Sequence, residues 1–206
     1  MAEGAHSTGI ERLGAFSDGV YAIAITLLVL EIKVPPPDVV ATVGLWRALG
    51  AHWSSYGAFA LSFAVIGIMW ANHNNIFRYI GRSDHTFVIL NLGLLLFTVL
   101  LPWPTAVLAT YLPSPTARTP AVVLYGATLF CTAAFFNATW NYAAWRRRLL
   151  RPDADQGQVD FVTREYFFGP ILYGAATLLA LVSVWVSLGI HALLAGLYVL
   201  PNKSRP

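Results

Sequence analysis

The 206 residues of this chain are 57% hydrophobic and only 11% charged, against roughly 25% charged in an average soluble domain. A water-soluble chain this short cannot hide so much apolar surface, whereas a bilayer accepts an apolar exterior and leaves the few charges to loops, helix ends and the interior. The net charge of +3 is small and its basic residues lie between apolar runs rather than in a stripe, which argues against nucleic-acid binding.

A hydrocarbon core of about 30 Å requires about 20 largely apolar residues as helix. Six stretches meet or approach this length, over residues 13–33, 53–80, 85–112, 120–148, 161–184 and 186–200, so the predicted fold is all-α, a multi-pass membrane domain of six helices. Pro35, Pro36 and Pro37 follow the first stretch, and Pro113, Pro115 and Pro120 separate the third from the fourth, as expected for residues that stop helices. Pro102 and Pro104 lie inside the third stretch and predict a kink or early end near Leu101. The last two stretches leave only a few residues around Trp185 to Ser187 for a turn, and a single long helix or a re-entrant hairpin is the alternative there.

With the N-terminus inside, the inner segments hold Arg12, Arg78, Arg82, Arg146, Arg147, Arg148, Arg151, Arg164, Lys203 and Arg205, and the outer loops only Lys33, Arg47 and Arg118. That asymmetry predicts cytoplasmic N- and C-termini, because short basic loops stay inside. Trp46, Trp53, Trp103, Trp140, Trp145 and Trp185 fall near span ends or loops and suit the headgroup zone. A cleaved signal peptide is a weaker reading of the N-terminus, since Asp18 and Glu31 flank its apolar core and no small-x-small site follows. The single cysteine, Cys131, has no partner for an intrachain disulfide.

The first stretch is polar where lipid would penalise polarity. Asp18 lies about one and a half turns from Arg12, and ionisable groups within a membrane normally face protein and pair. Ile23, Thr26, Leu27 and Leu30 form a stripe at spacings of three and four, which periodicity alone reads as ordinary helix packing. Asn72 and His73, at the inner end of the second stretch, sit at the depth of Arg12, Ser17 and Asp18. They are candidates for a buried polar network, with solvation of a helix end as the alternative. Asn91, Asn137 and Asn141 are read as amides that join helices.

Arg12, Phe16, Ser17 and Asp18 match an RxxxFSD signature, and the chain resembles the transmembrane-protein-175 family of potassium channels, of the prokaryotic single-repeat type. The resemblance implies a potassium-selective channel subunit in the plasma membrane that assembles with itself as a homotetramer, four first helices lining a central pore. It implies a hydrophobic constriction at Ile23, continued by Leu27 and Leu30, with Ile23 and Thr26 setting selectivity. Arg12, Phe16, Ser17 and Asp18 become scaffold, holding the first helix through hydrogen bonds and an ion pair. The partners expected are the bilayer, permeant K⁺ and further copies of the chain, with no cofactor and no metal site. No HExxH, GxSxG or GxxxxGK[ST] pattern occurs, so an enzyme is not expected. A secondary transporter with Asp18 as its coupling site is the rival function.

Overall fold

The computed structural model describes the backbone of residues 2–199 and the side chains of residues 9–197. Residue 200 of the sixth predicted stretch, and Lys203 and Arg205, lie outside the described residues. The architecture is all-helical: α1 (Ala2–Leu27) continues into a 3₁₀ turn (Leu28–Glu31), followed by the short α2 (Pro37–Val43) and α3 (Leu45–Gly50). Then come α4 (Trp53–Tyr79), α5 (His85–Leu100), α6 (Pro102–Tyr111), α7 (Arg118–Ala144), α8 (Gln156–Leu179) and α9 (Val184–Val199). Among the described residues four helical stretches are long and apolar enough to cross a membrane: Gly9–Glu31, Trp53–Tyr79, His85–Tyr111 and Arg118–Arg147.

The helix breaks are chemical. Between α5 and α6 the break falls at Leu101, immediately before Pro102, because proline has no N–H to give to residue i−4 and its ring crowds that carbonyl. Thr105 lies just beyond the break and returns its hydroxyl to the Leu101 carbonyl at 2.8 Å. In α8, Pro170 is inside the helix, and the carbonyl of Tyr166, which proline cannot serve, accepts from Nδ2 of Asn137 on α7 at 2.9 Å. The α8–α9 turn spans residues 180–183, a few residues earlier than the sequence suggests. There Ser183 Oγ accepts from the Val186 N–H at 3.4 Å and starts the next helix.

The core joins α1 to every layer of the bundle. Tyr21, Ala24 and Leu28 pack with Ile66, Leu101 and Leu129 in the central cluster. A second cluster, built on Ile76, Leu94, Phe136 and Trp140, fills the arginine-rich end. Helices α7 and α8 approach closely at Gly126, where a Cβ would collide with the side chain of Thr177, the small-residue contact that lets membrane helices touch. Trp140 is a correction to the interfacial reading: it is fully buried, and its Nε1 donates to Thr163 Oγ1 at 2.9 Å. Trp46, Trp53, Trp103, Trp145 and Trp185 are exposed.

At the arginine-rich end two loops are clasped by backbone. Ile80 and Leu150 form an isolated antiparallel bridge, with Arg151 N–H donating to the Tyr79 carbonyl at 2.8 Å and Gly81 N–H to Leu149 at 2.9 Å. Arg147 is structural there, its guanidinium donating to Gln156 Oε1 at 2.7 Å and to the Ala154 carbonyl at 2.9 Å. The basic run is thus divided between topology and loop stapling.

The open face of the first helix and its polar anchor

Of the four long apolar helices α1 is the least covered. Within its apolar window 22% of residues are buried, against 39%, 39% and 44% in the other three. The burial is one-sided. Ser17, Tyr21, Ala24 and Leu28 are buried at spacings of four, three and four, whereas Phe16, Ile23, Leu27 and Leu30 are 54%, 59%, 39% and 62% exposed. Arg12 and Thr26 share the exposed side. At about 100° per residue these positions fall in one stripe running the length of the helix, so the subunit leaves a strip that from Phe16 to Leu30 is apolar but for one hydroxyl, Thr26, in its C-terminal half.

Thr26 is held in a particular way. Its Oγ1 lies 3.0 Å from the Ala22 carbonyl and 2.9 Å from the Ile23 carbonyl. The hydroxyl proton is therefore committed to the helix backbone, and what the side chain offers outward is oxygen lone pairs. Beyond it the helix tightens to 3₁₀ geometry over Leu28–Glu31, and Glu31 lies 3.9 Å from Lys33 at the end of the strip.

The buried face is fixed by a relay across three helices. His73 Nε2 on α4 lies 2.9 Å from Asn91 Oδ1 on α5, and Asn91 Nδ2 donates to Ser17 Oγ on α1 at 3.0 Å. Ser17 in turn donates to the Leu13 carbonyl at 2.8 Å. With the amide nitrogen of Asn91 occupied, its oxygen accepts, so His73 carries its proton on Nε2. Ser17, His73 and Asn91 are 0%, 1% and 0% exposed. The imidazole is sandwiched by Tyr21 (centroids 5.4 Å apart) and Phe77 (4.1 Å, stacked).

Not every predicted member joins this network. Asn72, adjacent to His73, is carried by the helical turn to another face of α4 and lines a crevice between α4 and α8. Asp18 accepts from Trp70 Nε1 at 2.9 Å. Among the described residues the ion pairs are Lys33–Glu31 and Arg151–Asp153, so neither Arg12 nor Asp18 is ion-paired within the subunit, and Arg12 is exposed. About six residues separate Arg12 from Asp18, which sets them on different sides of the helix. Trp70 supplies a neutral donor instead. Asn91 and Trp70 are the members that sequence reasoning did not assign to this site. Their signals were an amide inside an otherwise apolar run and an indole one turn from a polar cluster.

Residues 12–102 match the family model described as endosomal/lysosomal potassium channel TMEM175. A relative from Chamaesiphon minutus, named a potassium channel, is 48% identical over 204 residues, covering 99% of this chain and 100% of the relative. The human endosomal/lysosomal proton channel TMEM175 is 36% identical over 183 residues, which cover 84% of this chain and 35% of that protein. Among solved structures, a lysosomal potassium-selective channel TMEM175 homolog from Chamaesiphon minutus superposes with a TM-score of 0.85 at 44% identity, covering 93% of this chain and 96% of that one. With a full-length relative at this identity and a matching fold, the chain belongs to the TMEM175 family.

Proposed function

We propose that the chain is a subunit of a potassium-selective channel in the plasma membrane, a homotetramer in which four α1 helices line a central pore. The observation that carries this reading is the uncovered strip of α1, from Phe16 through Ile23 and Leu27 to Leu30, on a helix whose other face is locked by buried hydrogen bonds. One helix cannot enclose a pore, and the relatives named as potassium channels match along nearly the whole chain.

Six spans with both termini cytoplasmic accommodate α8 and α9 as a hairpin beside the four long apolar stretches, and the charge asymmetry of the loops supports that orientation. Ile23 forms the constriction and Leu27 and Leu30 continue it, closing by dewetting. A ring of four Thr26 oxygens, their protons turned into the backbone, replaces part of an ion's hydration shell. An isoleucine ring offers no oxygen ligand, so discrimination between K⁺ and Na⁺ is moderate. Ser17 and Asp18 are scaffold, bonded to Asn91 and Trp70 on neighbouring helices, whereas Phe16 and Arg12 lie on the exposed side of α1.

Thr26→Val tests the selectivity part. It preserves shape and removes the oxygen, so K⁺ flux into proteoliposomes is expected to persist while its preference over Na⁺ falls severalfold. Unchanged preference removes Thr26 from the filter.

A further inference from the structure

Toward the arginine-rich end, α4 and α8 line two cavities of different character that follow one another along both helices, and together they outline a groove. Its outer section is a cleft of about 370 Å³ lined by Asn75 and Arg78 of α4 and by Gln158, Phe161 and Glu165 of α8. The second, further along both helices, is a crevice of about 60 Å³ lined by Met69 and Asn72 of α4, Gly169 and Pro170 of α8 and Thr132 and Phe136 of α7. Along α4 the groove presents a guanidinium (Arg78), two amides at intervals of three (Asn75, Asn72), and then only apolar groups (Met69, Ile68, Val65). At 1.5 Å per residue, Arg78 to Val65 spans about 20 Å, comparable with one leaflet's share, about 15 Å, of the hydrocarbon core.

Two details distinguish this groove from a packing fault. Asn72 stands where polar lining gives way to apolar, and its Oδ1 is buried with no hydrogen-bond partner among the described residues. At Gly169 a Cβ would meet nothing within 4 Å, whereas at Gly93 it would collide with Phe135 and at Gly126 with Thr177. The other two glycines bring helices together. Gly169 keeps a slot open, and Pro170 beside it lies within the helix.

We propose that this groove binds one membrane phospholipid. Its phosphate sits on Arg78, its glycerol and ester region lies against Asn75 and Asn72, and the first methylenes of one acyl chain enter the crevice beside Met69, Gly169 and Pro170. The order charge, amide, hydrocarbon along the groove is the order of phosphate, ester and chain in the lipid. Amide groups bond ester oxygens or the water that accompanies them. Glu165, which has an interaction of its own within the protein, adds a negative charge at the mouth and favours a headgroup of low net charge over a multiply anionic one.

The test uses the full-length protein purified in detergent, stripped of lipid and titrated with phosphatidylglycerol while bound lipid is counted by native mass spectrometry. Wild type is expected to take up one lipid per subunit. Gly169→Leu fills the slot and should weaken that binding about tenfold or more, the gentler Gly169→Ala about threefold, and Arg78→Gln should weaken phosphatidylglycerol more than uncharged diacylglycerol. Lipid-free melting temperatures of both Gly169 variants should equal or exceed wild type, since the space is open and glycine is a weak helix former. Equal lipid binding by wild type and both Gly169 variants overturns the proposal. So does competition by inorganic phosphate that ignores residue 169, which would mark a free-anion site, or a change in subunit number without loss of lipid, which would place a second copy in the groove.

Discussion

Asn91 joins α1 to its neighbours. Its amide bonds His73 on one side and Ser17 on the other, all three without access to solvent, so α1 is tied through α5 to α4 by hydrogen bonds that no apolar side chain can replace. Asn91→Leu removes both and strands the His73 N–H, and it should destabilise the protein by about 1–2 kcal/mol, the range for polar contacts between membrane helices, read as a lower melting temperature in detergent. The signature Arg12-x-x-x-Phe16-Ser17-Asp18 was legible as a pattern, and within it Ser17 lies in the buried relay. The partners of Ser17 and Asp18 were not legible, because Asn91 and Trp70 stand 74 and 52 residues away and a local pattern holds no information on which distant amide or indole arrives.

At the scale of elements, helix ends and interruptions carry the stabilising chemistry. Asp84 caps α5 by accepting from the Phe87 N–H at 2.9 Å, and its other oxygen accepts from Tyr142 on α7 at 2.8 Å. Burial raises its carboxyl, but the Phe87 N–H, the Tyr142 hydroxyl, the nearby Arg148 and the Thr86 N–H outweigh this and hold it below the usual carboxylate range. A lowered carboxyl contributes stability that is complete above its unfolded value and is lost as the pH falls through its folded one. The clasp is therefore expected to hold at neutral pH and loosen only in acid below the ordinary carboxylate range. Asp84→Ala should cost about 1 kcal/mol at neutral pH and flatten the acid limb of a melting-temperature profile. The repair at Pro170 has its own signature. Asn137→Ala should cost about 1 kcal/mol alone and markedly less beside Pro170→Ala, since alanine restores an N–H for the Tyr166 carbonyl. A double-mutant cycle showing independent costs would contradict that account. Pro102 could be read in advance because proline acts locally. The amide that answers Pro170 could not, since it comes from another helix.

For the whole molecule, the question is what covers α1. Composition and run length make the membrane setting plain, and the stripe Ile23, Thr26, Leu27 and Leu30 can be traced by spacing, yet a packed face and a pore face share the same period. Burial places the stripe on the side of α1 that no described helix covers. Closing a pore around it takes further copies, and no property of a single chain counts them. The most direct measurement is passive cation flux into proteoliposomes under K⁺ and Na⁺ gradients, with wild type beside Ile23→Asn. A hydrophobic constriction predicts K⁺-preferring flux in wild type, and severalfold faster flux with weaker preference once asparagine wets the ring. Identical rates and preference in the two proteins, or no passive flux from a folded and inserted wild type, would contradict it.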